Sequence, residues 1–155
     1  VKRIDQAAIE MMRTGLYVVT TKNLDEKAGC TVAWGCRASV DPPMILVCIS
    51  PKRTTYSVIR ESGNFCLNIL GEDGTEMAKT FGFKSSKDVD KFAGLKYDVK
   101  ASGAPVLADA VAYVDCRLFG SYNAGDHYIM LGEVVEAAVQ REGAPKIYNS
   151  KEFFP

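Results

Sequence analysis

Charge imbalance is the first thing this sequence lacks: its 155 residues carry 19 basic and 19 acidic side chains, for a formal net charge of zero. A neutral chain offers no broad cationic face to a nucleic acid, and a polyanionic partner would have to use a local patch. Long apolar runs are missing too. Nothing is long enough to cross a bilayer, and the first residues lack the apolar stretch of a secretory signal. A soluble, cytoplasmic protein is the expectation. No GxGxxG opens a helix after a strand, which argues against a Rossmann dinucleotide site. The five cysteines include no CxxC pair, so metal-ligand spacing is absent and a disulfide framework would leave one thiol over. No metal site is expected. Cys36, Cys48, Cys66 and Cys116 lie in apolar strand-like runs, where reduced cysteine packs as a small hydrophobe. There is one tryptophan and one histidine, and there are no repeats or low-complexity segments.

What is present is ordinary globular composition, 47% hydrophobic and 25% charged. The length suits one domain, expected over residues 1–150, with 151–155 as a tail leaving it. Apolar residues at helical spacing after Asp5 predict a helix over 5–13, stopped by Gly15. A β-branched strand over 16–21 follows, then a polar turn over 23–29. From 31 to 40 the residues alternate. Val32, Trp34, Cys36, Ala38 and Val40 share one face, read as core. Thr31, Ala33, Gly35, Arg37 and Ser39 share the other, which is small and polar. Residues 44–49 are apolar on both faces and must be covered on both sides, by the domain or by a second subunit. Further on, helices are expected over 54–61 and 72–81, a polar loop over 82–94, and long strands over 110–120 and 127–140. Many short strands with few helices predict a mainly β fold, an antiparallel barrel rather than βαβ units.

Two stretches carry chemistry. Ser50-Pro51-Lys52-Arg53-Thr54-Thr55 combines hydroxyls, two cations and a helix start, whose free N–H groups suit a phosphate. The plainer alternative is an N-cap with solvated cations. Gly125-Asp126-His127 is a sharp turn that would hold an imidazole at a strand end, where it can face a ligand.

In their order and spacing these features resemble the flavin reductase-like family, whose fold is the FMN-binding Greek-key split barrel. The resemblance is to its small ferric reductase and flavoredoxin-type members. The matching pieces run from 15 to 20, then 31 to 39, Pro42-Pro43, Thr54 with Ile59, Ser62 to Phe65, Phe81-Gly82-Phe83 and Lys91-Phe92. Gly103 with Pro105 and Gly125-Asp126-His127 ahead of Leu131 to Val134 complete them. The resemblance implies an FMN held by Thr31, Val32, Ala33, Trp34 and Ser39, by Cys48, Ile49, Ser50, Arg53, Thr54 and Thr55, and by Phe83, Lys91 and Phe92. Ser50, Arg53, Thr54 and Lys91 would meet phosphate or ribityl. Backbone near 32–34 and 48–50 would meet the ring system. His127, with backbone from Gly125, would position the nicotinamide of NADH or NADPH. The implied activity is an NAD(P)H-dependent flavin or ferric reductase, acting as a homodimer and passing electrons to Fe(III), free flavin or a protein. The alternative is an FMN electron carrier reduced by a partner protein. Where many family members carry Asn-Gly, this chain has Gly29-Cys30, and the thiol is read as space-filling. Trp34 is read as buried packing. Little sequence beyond Tyr148 is left to cover the site.

Overall fold

The computed structural model describes residues 3–24 and 26–155. Among these described residues nine strands and three α-helices follow one another along the chain. They are α1 (Gln6–Glu10), β1 (Tyr17–Asn23), β2 (Glu26–Val32), β3 (Gly35–Ser39), β4 (Met44–Ile49), α2 (Thr54–Ser62), β5 (Asn64–Ile69), α3 (Thr75–Phe83), β6 (Tyr97–Val99), β7 (Pro105–Leu107), β8 (Ala112–Ala124) and β9 (His127–Val139). Seven of the strands form one antiparallel sheet in the order β2-β1-β5-β8-β9-β4-β3, and β6 and β7 form a separate ribbon.

The two edges of that sheet, β2 and β3, are consecutive in sequence with only Ala33 and Trp34 between them. Laid flat, edges six strand spacings apart would be about 29 Å distant. The chain from Val32 to Gly35 reaches about 11 Å at most. The sheet therefore has to roll up until its edges nearly meet. Beside the seam the Cys48 N–H donates to the Trp34 carbonyl at 2.8 Å, carrying the β3–β4 pairing one residue further. The fold is a mainly β antiparallel split barrel.

Barrel closure sorts the apolar residues into two cores. Val19, Cys30, Val47, Ile49, Phe65, Cys116 and Met130 fill the interior, which Tyr56 and Ile59 of α2 plug. Leu16, Val18, Leu70, Phe81, Phe92 and Leu107 form a second cluster where α3 and the loop after it cover β1 from outside. Gly29 permits that second layer. A Cβ there would lie 2.8 Å from the Phe81 ring, so only glycine lets α3 approach this closely.

Several expectations need correction. Residues 26–29, expected in a turn, belong to β2, paired through to Tyr17↔Val32; Asp25 lies outside the described residues. The first helix is only Gln6–Glu10 and buries nothing, because its apolar side has no neighbour to pack on. Residues 31–40 are two strands on opposite edges, so their alternation does not run through. Trp34 is 56% exposed instead of buried, and Cys36, Ala38 and Val40 are exposed as well. Cys30, Cys66 and Cys116 are buried and Cys48 half-buried. Residues 151–155 do not leave the domain: a 3-10 turn at Ser150–Glu152 brings Phe153 back onto the second core. No helix among the described residues is long and apolar enough to cross a membrane.

Candidate active site at the barrel seam

A cavity of about 260 Å³ opens where the sheet edges approach each other. Its walls come from Cys30, Thr31, Val32, Ala33 and Trp34 on one side and Cys48, Ile49, Ser50 and Arg53 on the other. Ala78, Gly82 and Phe83 of α3, His127, and Tyr148, Phe153 and Phe154 complete it.

The hydrogen-bonding capacity of this cavity lies largely in backbone. Along an antiparallel edge strand, alternate residues turn both N–H and C=O outward. Gly29 is one of these. Its N–H donates to Ser86 Oγ (3.3 Å) and its carbonyl accepts from Lys91 Nζ (2.8 Å). Thr31, two residues on, has the same orientation by that alternation and lines the cavity, and no side chain among the described residues bonds its N–H or C=O. Its hydroxyl is already committed to the Ala78 carbonyl at 2.6 Å. An exposed β-edge of this kind is a template for the polar rim of a flat ligand.

At the other end, Arg53 precedes α2 and donates from Nη2 to the Gly82 carbonyl at 2.6 Å. That bond fixes the guanidinium between α2 and α3 while leaving other N–H groups of the fork free. No side chain caps α2. The result is a cation beside a helix amino terminus, an arrangement suited to a phosphate.

His127 begins β9 after the Gly125-Asp126 turn. Gly125 has φ +77°, as a two-residue hairpin with glycine first requires. His127 Nδ1 lies 2.8 Å from Asp126 Oδ1, which leaves Nε2 as the free ring nitrogen. The hydrogen bond to the imidazole, with electrostatic attraction to it, holds the Asp126 carboxyl below its ordinary range. Trp34 lies 4.7 Å from the imidazole, centroid to centroid, so the residue expected in the core forms part of the cavity wall instead.

The structure brings Thr31, Val32, Ala33, Trp34, Cys48, Ile49, Ser50, Arg53, Phe83 and His127 around this one cavity. It does not bring the other expected residues to it. Lys91 is buried behind β2, its ammonium held by the Gly29 and Phe81 carbonyls at 2.8 and 2.9 Å. Burial pushes its pKa down to about 8. Phe92 packs edge-on against Phe81 in the second core. Thr55 is buried beside the Cys30 thiol, whose pKa burial raises. Thr54, Ser39 and Gly125 lie outside the cavity walls. In return, Tyr148, Phe153 and Phe154 join the wall, where little cover was expected. These three aromatics carry no periodic pattern to reveal this, although Phe153-Phe154 was a visible apolar pair in a polar segment.

The sequence pattern of the flavin reductase like domain matches residues 9–155. This chain belongs to the flavin reductase-like family. Among its relatives, the FMN reductase (NADH) RutF 1 of Methylorubrum extorquens is 31% identical over 146 residues, 94% of this chain and 72% of that one. The actinorhodin polyketide dimerase of Streptomyces coelicolor is 39% identical over 125 residues, 81% of this chain and 69% of its own length. Among solved structures, the flavin reductase PheA2 superposes with a TM-score of 0.81 at 28% identity, covering 96% of this chain and 95% of that chain. Homologues of this chain thus include flavin reductase enzymes, and the two curated relatives each extend beyond the region it matches.

Proposed function

We propose that this protein is an NAD(P)H-dependent flavin reductase that holds FMN in the seam cavity. The observation that carries this reading is the open β-edge at Thr31, set across one cavity from Arg53 and the uncapped start of α2. A planar ring with a polar rim and a phosphate at one end matches those two features together. Thr31 backbone, with backbone of 32–34 and 48–50, would bind the ring system. Arg53 and Ser50 would bind the phosphate.

Bound FMN would supply the two-electron chemistry that side chains lack. The chain's own contribution is positional. Trp34 and Phe83 keep water from the cavity mouth. His127, oriented by Asp126, offers Nε2 toward the nicotinamide as a hydrogen-bonding group and not as an obligatory acid. Anaerobic addition of NADH or NADPH to the FMN-loaded protein should bleach the flavin band. A band that persists with both would favour an electron carrier reduced by a partner protein. His127→Ala should slow the bleaching while leaving FMN bound, and unchanged stopped-flow traces would remove His127 from the reaction.

A homodimer is part of the proposal. Trp34, Cys36, Val40, Phe119 and Tyr122 leave apolar surface exposed near the β3 side of the barrel, of the kind a second copy covers. Light scattering should give twice the chain mass, and a monomer at micromolar concentration would contradict it. What takes the electrons next, whether Fe(III), free flavin or a partner enzyme, would be read from which acceptor is reduced in turnover.

A further inference from the structure

The segment 146–154 meets the cavity in a way the flavin reading leaves unused. Lys146 is buried, and its backbone is built into the barrel: its N–H donates to the Leu70 carbonyl at 2.8 Å and its own carbonyl accepts from Leu16 N–H at 3.1 Å. A buried ammonium is costly unless it is paired. Its partner is Glu152 at 3.0 Å, at the end of the 3-10 turn Ser150–Glu152. The ion pair ties that turn to a fixed point of the fold. Immediately after it come Phe153, stacked on Tyr148 at 5.8 Å, and Phe154, edge-on to Phe83 at 5.7 Å. Phe154 remains 68% exposed and Phe83 54% exposed, so packing alone holds this wall weakly.

The cavity closed by these aromatics is about 260 Å³, below the roughly 300–1,000 Å³ usual for sites that enclose a small ligand. Enclosing a flavin then needs a wall that can shift, and Phe154, the more exposed end of this segment, has the least packing behind it.

We infer that Phe153 and Phe154 form a strap over the bound flavin, and that Glu152 is the positioning residue that latches it through Lys146. The pair sets how long the flavin stays. This rests on the flavin reading above.

The test is FMN release from the loaded full chain, followed by flavin fluorescence after rapid dilution, with melting measured in parallel. Glu152→Gln should release FMN about tenfold faster by unlatching the strap. Phe154→Ala should release it about three- to tenfold faster, and Phe154→Tyr should restore the original rate. A purely structural role would lower melting without changing release. Release within about twofold of wild type in these variants overturns the strap and leaves the flavin reading standing. A wild-type chain that retains no FMN overturns both. If Glu152→Gln fails to fold, the exposed Phe154 substitutions decide alone.

Discussion

Two neighbouring stretches of the same strand edge behave in opposite ways. At Gly29 the outward N–H and carbonyl of β2 are sealed by Ser86 and Lys91, drawn in from the loop after α3. At Thr31, two residues along, the equivalent groups are turned outward by the same alternation, at a residue that lines the cavity. Sealing makes the first stretch structural, since an unpaired edge buried against α3 would cost the full desolvation of its polar groups. Leaving the second open gives the protein a ready set of hydrogen-bonding groups that costs no reorganisation when a ligand arrives. The protein thus spends side chains to close one stretch and none to close the other.

Breaking the sealed stretch should have the largest effect. Lys91→Met leaves the Gly29 and Phe81 carbonyls without their ammonium donor and should cost about 3 kcal/mol in urea unfolding, while FMN affinity changes far less. An equal loss of affinity would mean that Lys91 reaches the ligand after all. Disturbing the open stretch at its cationic end comes next. Arg53→Ala should weaken FMN binding by about 10- to 100-fold in calorimetric titration, with riboflavin, which has no phosphate, affected much less.

A smaller effect comes from pH. Burial holds the Lys91 pKa at about 8 in the folded chain, against 10.5 when free, with Cys30 opposing that shift and Arg53 adding to it. Between those values the unfolded chain binds a proton that the folded chain does not, so stability rises with pH. Wild type should therefore gain on Lys91→Met by about 1 kcal/mol between pH 7 and 10, solvent screening reducing the full shift. A flat difference would place the ammonium in solvent. The smallest change is Thr31→Val, which loses the hydroxyl bond to the Ala78 carbonyl and should cost about 1 kcal/mol of stability. Its FMN affinity should stay nearly unchanged, because the backbone of residue 31 is retained.

How far the sequence disclosed this depends on how local each signal was. His127 was legible because a glycine-acid turn next to a β-rich run is a signal contained in three residues. The place of Arg53 at the cavity was only half legible, because a cation and hydroxyls at a helix start suit a phosphate but read equally as an N-cap with solvated cations. Trp34 was not, since alternation assumes a continuous strand and the chain changes sheet edge at that residue. Lys91 reads as solvated in any polar loop, and only the fold reveals two carbonyls waiting for it. The strap was hidden for a similar reason: Lys146 and Glu152 look like surface charges until barrel closure buries the lysine.

The most direct test of the open edge is the amide spectrum of the isotope-labelled protein titrated with FMN. The Thr31 amide should shift and gain protection from exchange, while the Gly29 amide, already bonded to Ser86, should move little. Flavin binding that leaves Thr31 unperturbed, or that perturbs Gly29 as strongly, would contradict the account.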